Sequence, residues 1–509
     1  MLNRSVLRVF ALLVLLSNTS SSLRAADGGE ARNLYETAGE KQTSKDFGPA
    51  PERMETNFGT LEFTGGAFPD ASSAQAIFDE LDRQRATQAY MDFMPAMSLY
   101  AIVKAQVRDF GLTNSSIAGV EADFMFPSEN YLTGNDITVY AFATIDLGVD
   151  GPTVVEIPPG MYGTANDAAF KYITDMGTTG PDKGKGGKYL FVPPGYEGEL
   201  PDGYFVMHSS GYRVWAMMRG FNVGNGDDAL KWFEDRLKVY PLSTGPRDVS
   251  FVNASRMGAN TLIPEDGSAF EMLNEIIQYE PSSLFSAEQL GRLATLGIEK
   301  GKAFAPDARM QKILDQSAKQ AVAMSRAILY ASREPDINYW ADRHWEKMFL
   351  NNTEFTHNGY TRIDARTLWH YQAIVVSPNL LSTTPGVGTA YLTSSKDKNG
   401  DYLMGDNSYR LTVPADAPVK RFWAVTIYDP ESRSLLDSGG NRTIGSMSDP
   451  QINADGSVDV YFGETAPAGK EKNWIKTDPD KGFFVVFRFY GPTEGYINKT
   501  WRLNDFERN

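Results

Sequence analysis

The sequence predicts an α+β protein, mainly β, with two antiparallel sandwich or jelly-roll modules joined by a helical region. Short apolar runs broken by Gly and Pro recur in two blocks, one before residue 250 and one after residue 390, and helical patterning lies between them. Aromatic residues make up 12% of the chain, with 24 Tyr and 29 Phe, and favour strands over helical bundles. At 509 residues the chain exceeds one compact core, so several domains are expected.

The expected order is a signal peptide over 1–26, a flexible leader over 27–66 and a helical segment over 67–111. An N-terminal β module over 112–250, a helical connector over 251–380 and a C-terminal jelly-roll module over 381–509 follow. The first stretch, MLNRSVLRVFALLVLLSNTSSSLRAADG, has Arg4 and Arg8 before an apolar run and small residues up to Ala25 and Ala26. That run is too short to span a bilayer, so a cleaved product, secreted or periplasmic, is expected. Cleavage removes three arginines and moves the formal charge from −15 to −18, which argues against nucleic acid or anionic membrane as partner. Cysteine is absent, which excludes disulfides and thiolate chemistry.

From Ala71 to Gly111 the pattern is helical, with Ser72 or Ser73 as cap and Pro95 as a break or kink. In NDITVYAFATIDL the odd positions are apolar, as on a half-buried strand, and Asp150-Gly151 reads as a hairpin turn into TVVEIPP. Further strands are read at AAFKYIT, KYLFVPP, GYFVMHS and GYRVWAMMRGF, and one helix at GDDALKWFEDRLKVY. Ser286 and Pro306 are placed as starters of the connector helices. Strand signals return in SYRLTVPA, RFWAVTIYD, SVDVYFG and GFFVVFRFYGP.

The Gly- and Lys-rich stretch GPDKGKGGKYLFVPP lacks the spacing of a phosphate loop and runs into a strand instead of a helix. What remains is a turn whose amides form a candidate anion nest, with Lys188 at its end. The runs NYLTGNDITVYAFATIDL, GPTVVEIPPGMYG, DMGTTGPDKGKGGKYLFVPPGYEGELPDGY and SSGYRVWAMMRGF resemble the module called domain of unknown function 1254. SYRLTVPADAPVKRFWAVTIYDPESRSLL, INADGSVDVYFG, NWIK and GFFVVFRFYGP resemble its companion, domain of unknown function 1214. The resemblance implies a two-module exported protein with joined sandwiches and no settled activity. It departs at Thr133-Gly134-Asn135-Asp136, where the family often has proline first.

Candidate chemistry is sparse. The four histidines, His208, His344, His357 and His370, show no metal-ligand spacing, so no metal and no cofactor are expected. No Gly-x-Ser-x-Gly elbow occurs. Residues 397–401, Asp-Lys-Asn-Gly-Asp, read as a hairpin turn because the later positions of a calcium loop are wrong, and Asn453–Ser457 reads likewise. Two strand-borne arginines stand out: Arg488, on one side with Phe484, Val486 and Tyr490, and Arg219, alternating with Arg213, Trp215 and Met217 so that a guanidinium meets the indole. They are read either as paired ties between modules or as the donors of a pocket for a carboxylate, phosphate or sugar acid. Trp215, Lys188, Tyr140, Trp423 and Arg366 complete the candidate binding set. In the connector, Tyr339, Trp340, Arg343, His344, Trp345, Asp364, Arg366, Trp369, His370 and Tyr371 either line a module-boundary cleft or fill the core, and Arg366 and His370 share a face if DARTLWHYQA is helical.

Three function classes follow. The first is binding of a small polar or anionic ligand, such as a glycan fragment, at an inter-module cleft. The second is a hydrolase or lyase of an ester, phosphonate or glycoside, using a carboxylate such as Asp364 with His344, His370 or a tyrosine. The third is an assembly protein whose modules serve homo-oligomerisation.

Overall fold

The computed structural model describes residues 51–114, 117–220, 223–350, 352–381 and 384–509. The signal peptide, its cleavage site and the leader up to residue 50 lie outside them. The chain divides into two compact units, residues 1–76 and 77–509.

In the first unit β1 (Arg53–Thr56), β2 (Gly59–Thr64) and β3 (Phe68–Pro69) form an antiparallel sheet, a correction to the flexible leader expected there. Its strands are short and mostly exposed, and cross-strand contacts hold them: Arg53 pairs with Glu62 at 3.5 Å and Thr60 donates to Glu55 at 2.7 Å. Helix α1 (Ala71–Phe110) follows, with the Asp70 carboxylate accepting the Ser73 amide at its start. Pro95 lies inside α1, so of the expected break or kink it is the break that does not occur.

From Ile77 onward α1 belongs to the second unit. Next come β4 (Ile117–Glu121), β5 (Val139–Asp146), α2 (Leu147–Asp150), β6 (Thr153–Ile157), β7 (Tyr162–Asp167), β8 (Tyr172–Gly177), β9 (Gly187–Val192), β10 (Phe205–His208), β11 (Arg213–Gly220), α3 (Gly226–Glu234), β12 (Lys238–Pro241) and β13 (Ser250–Asn253). They build a six-stranded sheet, β13-β4-β5-β11-β7-β8, and a four-stranded one, β10-β9-β6-β12. Ala141 and Ala143 of the larger sheet share one core with Val155 and Phe191 of the smaller, so the two stack as a sandwich. Asp150-Gly151 is no hairpin. Asp146 caps the short helix α2, Gly151 closes it at φ 66°, and β5 and β6 go to different sheets.

The connector carries α4 (Ser268–Tyr279), α5 (Ala287–Ala294) and α6 (Ala308–Tyr330). Ser286 starts α5 with a capping box, whereas Asp307, not Pro306, caps α6. β14 (Glu346–Lys347), β15 (Thr356–His357), β16 (Tyr360–Thr361) and α7 (Ile363–Gln372) lead to the last module. There, β17 (Thr389–Ser394), β18 (Tyr409–Val413), β19 (Val419–Tyr428), β20 (Thr443–Gly445), β21 (Val458–Gly463), β22 (Trp474–Lys476), β23 (Phe484–Pro492), α8 (Glu494–Ile497) and β24 (Glu507–Arg508) follow. The sheets β14-β17-β23-β19-β20 and β22-β21-β18-β24 pack through Val425, Phe487, Leu411 and Val460.

Strand parity decides what lies between the modules. Along β5 the odd residues enter the first sandwich, and Tyr140 and Phe142 point the other way. Along β23, Val485, Phe487 and Phe489 enter the second sandwich, while Phe484 and Val486 face outward. These outer faces meet in a third core with Leu99 and Ile102 of α1 and Trp369 of α7. Both modules thus bury a second sheet face against each other and the connector. Among the described residues no helix is long and apolar enough to cross a membrane.

Candidate functional site

In this inter-module core a cavity of about 120 Å³ remains open. Its wall is drawn from three places: residues 125–219, the connector from Met348 to Leu380, and residues 388–488. Arg219 and Arg488, candidates from two separate sheets, both line it. Among the described residues of the wall none is Asp or Glu.

The two arginines are used differently. Arg488 is 2% exposed. Its guanidinium donates to Thr426 Oγ1 at 2.9 Å, to the Tyr428 hydroxyl at 2.5 Å, and to the Thr133 and Gly134 carbonyls at 3.0 and 3.2 Å. All four acceptors are neutral, and the buried Asp136 carboxylate interacts with the Arg488 charge. Arg219 is half-buried; its Nη2 donates to Thr389 Oγ1 at 3.4 Å and its guanidinium lies 5.7 Å from the centre of the Tyr490 ring. Burial works against its charge, and the tyrosines Tyr140, Tyr391 and Tyr490 outweigh that effect, so it titrates above the ordinary arginine range.

Tyr140 sits opposite Arg219 in the β5–β11 register and also lines the cavity. Asn135 binds the tyrosines together, donating to the hydroxyls of Tyr140 at 2.9 Å and Tyr490 at 2.8 Å. The Thr133–Asp136 turn is thus a joint between modules. Thr133 adopts φ 44°, and Asp136 accepts from Thr443 at 2.5 Å and faces Arg442 at 3.7 Å.

A second polar group of the wall is Ser377 and Asn379. Ser377 Oγ donates to Asp175 Oδ1 at 2.7 Å, and Asn379 Nδ2 donates to Asp175 Oδ2 at 2.5 Å. Asp175, on β8, is buried; that burial pushes its carboxyl up to about 7 against the pull of the Ser377 and Thr164 hydroxyls. The rest of the wall mixes the apolar Met125, Met217, Met348, Trp369, Val375 and Leu380 with the hydroxyl-bearing Thr133, Thr164, Thr389 and Tyr162.

The other candidate residues lie elsewhere. Trp215 is fully buried beneath the wall, its indole N–H donating to Gln106 at 3.0 Å and its ring stacked 5.7 Å from Phe142. Arg213, one of the guanidiniums expected beside it, lies 4.0 Å from the centre of the Tyr279 ring and pairs with Glu280 at 2.9 Å. Trp423 points into the second sandwich, because odd residues of β19 face away from the cavity. Arg366 pairs with Asp92 at 3.2 Å and Lys188 lies 3.9 Å from Glu156; neither lines the cavity.

The candidate catalytic residues are also dispersed. His370 does share α7 with Arg366, but it is 2% exposed and packs 5.5 Å from both Phe170 and Phe355. Burial, helped by Arg366, lowers its pKa to about 3, so it stays neutral. The His344 amide donates to Asp505, and Asp364 faces Arg333 at 3.6 Å; neither residue lines the cavity. Tyr339, Trp340 and Trp345 fill the second sandwich, leaving Trp369 as the connector indole that reaches the wall. No three His, Cys, Asp or Glu side chains gather as a metal site among the described residues.

The Gly-Lys turn is occupied by its own carboxylate. Asp182 accepts the amides of Gly177 at 2.7 Å and Gly186 at 2.9 Å and the Tyr189 hydroxyl at 2.5 Å, while Lys183 and Lys185 are exposed. Those two amides are therefore already taken by Asp182. Residues 397–401 form the expected turn, with Asp397 accepting the amides of Asn399 and Asp401.

Residues 119–241 match the family described as Protein of unknown function (DUF1254), and residues 388–494 match Protein of unknown function (DUF1214). The chain carries both modules, DUF1254 before DUF1214. The cavity wall therefore draws Arg219 and Tyr140 from the DUF1254 module and Arg488 and Tyr391 from the DUF1214 module. A crystal structure of the VPA0106 protein from Vibrio parahaemolyticus is similar at 17% identity and a TM-score of 0.51, covering 84% of this chain and all of that one. That likeness is one of fold. A crystal structure of an uncharacterized protein from Burkholderia cenocepacia, 12% identical, covers 86% of this chain and 96% of its own with a TM-score of 0.37. No curated protein matches the chain.

Proposed function

We propose that the chain is an exported protein that binds a small anionic ligand in the cavity between its DUF1254 and DUF1214 modules. The observation that carries this is the charge of the wall: Arg219 and Arg488 line it with no carboxylate among the described lining residues. A charged group enclosed this way favours a guest of opposite sign, because the enclosure weakens water's screening. Export rests on the amino-terminal charge and apolar pattern of residues 1–26. The test is calorimetric titration of small carboxylates, sugar acids and phosphorylated compounds beside neutral amide analogues. Anions bind and the amides do not; binding that ignores charge contradicts the reading.

A second reading has one specific support. Ser377 lines the same cavity and donates to Asp175, whose carboxyl is pushed up to about 7, an arrangement of nucleophile and base that suits ester hydrolysis. Incubation with diisopropyl fluorophosphate followed by mass spectrometry tests it. A Ser377 adduct that is lost in Asp175→Asn supports hydrolysis, and an unmodified Ser377 removes it.

A further inference from the structure

We infer that anion binding in the cavity is coupled to a proton on Asp175: the site holds its ligand while that carboxyl is neutral and releases it when the carboxyl ionises. This rests on the anion-binding reading and supplies the regulation of that same site. Three features carry it.

The first is position. Asp175 lies on β8, buried one side chain behind the wall. Both of its carboxylate oxygens are taken by residues that line the cavity: Oδ1 accepts from the Ser377 hydroxyl at 2.7 Å and Oδ2 from the Asn379 amide at 2.5 Å. Thr164, a third lining residue, stands opposite Asp175 in the β7–β8 register, and its hydroxyl also favours the ionised carboxyl. A charge on Asp175 is therefore separated from a guest by a single layer of side chains.

The second is the lack of a counter-charge. The groups that face the carboxyl are neutral: Tyr172 from its own strand, whose hydroxyl accepts the Asp175 amide, Thr164 from β7, and Ser377 and Asn379 from the segment after α7. Tyr172 is the one titratable group of these four, and burial pushes it up to about 12, so it stays neutral. Among the described residues no Lys, Arg or His pairs with Asp175, whereas the buried Asp136 has Arg442 at 3.7 Å. Burial without a cation brings the Asp175 carboxyl to about 7, so its charge changes near neutral pH.

The third is the sign of that change. Arg219 and Arg488 give the wall its positive potential, whatever partners each guanidinium keeps, and an ionised Asp175 subtracts from it. Two like charges one side-chain layer apart in a buried setting change an affinity by on the order of tenfold. Linkage makes the effect mutual. An anion that prefers the neutral form about tenfold moves the Asp175 midpoint from about 7 to about 8, so binding near pH 7.5 draws about half a proton from solvent.

The experiment is titration calorimetry of lactate, benzoate, glucuronate, methanesulfonate and glucose 6-phosphate into the full chain and into Asp175→Asn, at about pH 5.5, 7.5 and 9 in amine buffers, which are not themselves anions. The phosphate titrates in this range and is read as the difference between the two proteins. Affinity of the parent falls about tenfold from the lowest to the highest pH, and that of the variant stays level. Repeating the middle titration in imidazole, triethanolamine and Tris, which differ in heat of ionisation, reads uptake of about half a proton by the parent and none by the variant. Level affinity in the parent with no proton uptake overturns the inference and leaves the anion site standing, and an equal fall in the variant does the same. No binding of any of these anions at any pH removes the underlying reading as well. Asp175→Ser, which also cannot ionise, takes the variant's place if circular dichroism shows Asp175→Asn unfolded.

Discussion

Arg488 of the DUF1214 module donates to the carbonyl of Thr133 in the DUF1254 module at 3.0 Å. A buried guanidinium thus holds a turn whose first residue sits at φ 44°, while its charge faces a cavity. Structure and site are coupled in that contact, since the tie that joins the modules also sets the potential of the wall.

Replacing Arg488 by Met leaves two carbonyls and the hydroxyls of Thr426 and Tyr428 without their shared partner. The expected loss is about 3 kcal/mol or more of stability, read from urea unfolding. A loss below about 0.5 kcal/mol contradicts its role as a tie.

Asp175 gives the protein a specific pH response. Its folded pKa of about 7 exceeds that of an unfolded aspartate, so the folded state holds the proton more tightly. The resulting stability is fully present below about pH 4 and is lost as pH rises toward 7. In Asp175→Asn this contribution disappears. Stability of the variant relative to the parent should rise over that interval with a slope of up to about 1.4 kcal/mol per pH unit, and a pH-independent difference contradicts the assignment.

His370 acts with the opposite sign. Its folded pKa of about 3 lies below that of an unfolded histidine, so unfolding takes up a proton and stability falls as pH drops from about 6.5 toward 3. His370→Leu should weaken that acid sensitivity and leave ligand affinity unchanged at pH 7.5. A tenfold affinity change places the imidazole in the site and contradicts its position among Phe170 and Phe355.

Asp182→Ala opens the Gly-Lys turn by freeing the amides of Gly177 and Gly186. About 2 kcal/mol of stability should be lost, and trypsin should cut faster at Lys183 or Lys185. Unchanged cleavage and stability mean the carboxylate does not order the turn.

What the sequence disclosed follows strand parity. Phe484, Val486, Arg488 and Tyr490 alternate along one strand, and Arg219 alternates with Trp215 and Met217, so the side each arginine takes on its own strand was legible, but not that the two sides meet. Trp423 was not, because both faces of β19 are buried and apolar there, and composition does not say which face meets the other module. The sheet over Arg53–Pro69 escaped because its strands are short and mostly exposed, with Leu61 and Phe63 of β2 the only alternating apolar pair in them. Asp150-Gly151 carried a hairpin signal that a capped helical turn satisfies equally well. Asn135, Ser377 and Asp175 were invisible as site residues, since their partners are set by packing between segments far apart in the chain; Asn135 in the turn before β5 was the one available hint.

The central claim is that Arg219 anchors an anion between the modules. Calorimetric titration of small carboxylates, sugar acids and phosphorylated compounds into the parent and into Arg219→Gln, both checked for folding by circular dichroism, tests it most directly. The parent should bind, and the variant should lose affinity by about 10- to 100-fold, as expected for a hydrogen bond between charged groups. Equal affinity in the two proteins, or no heat in the parent, contradicts it.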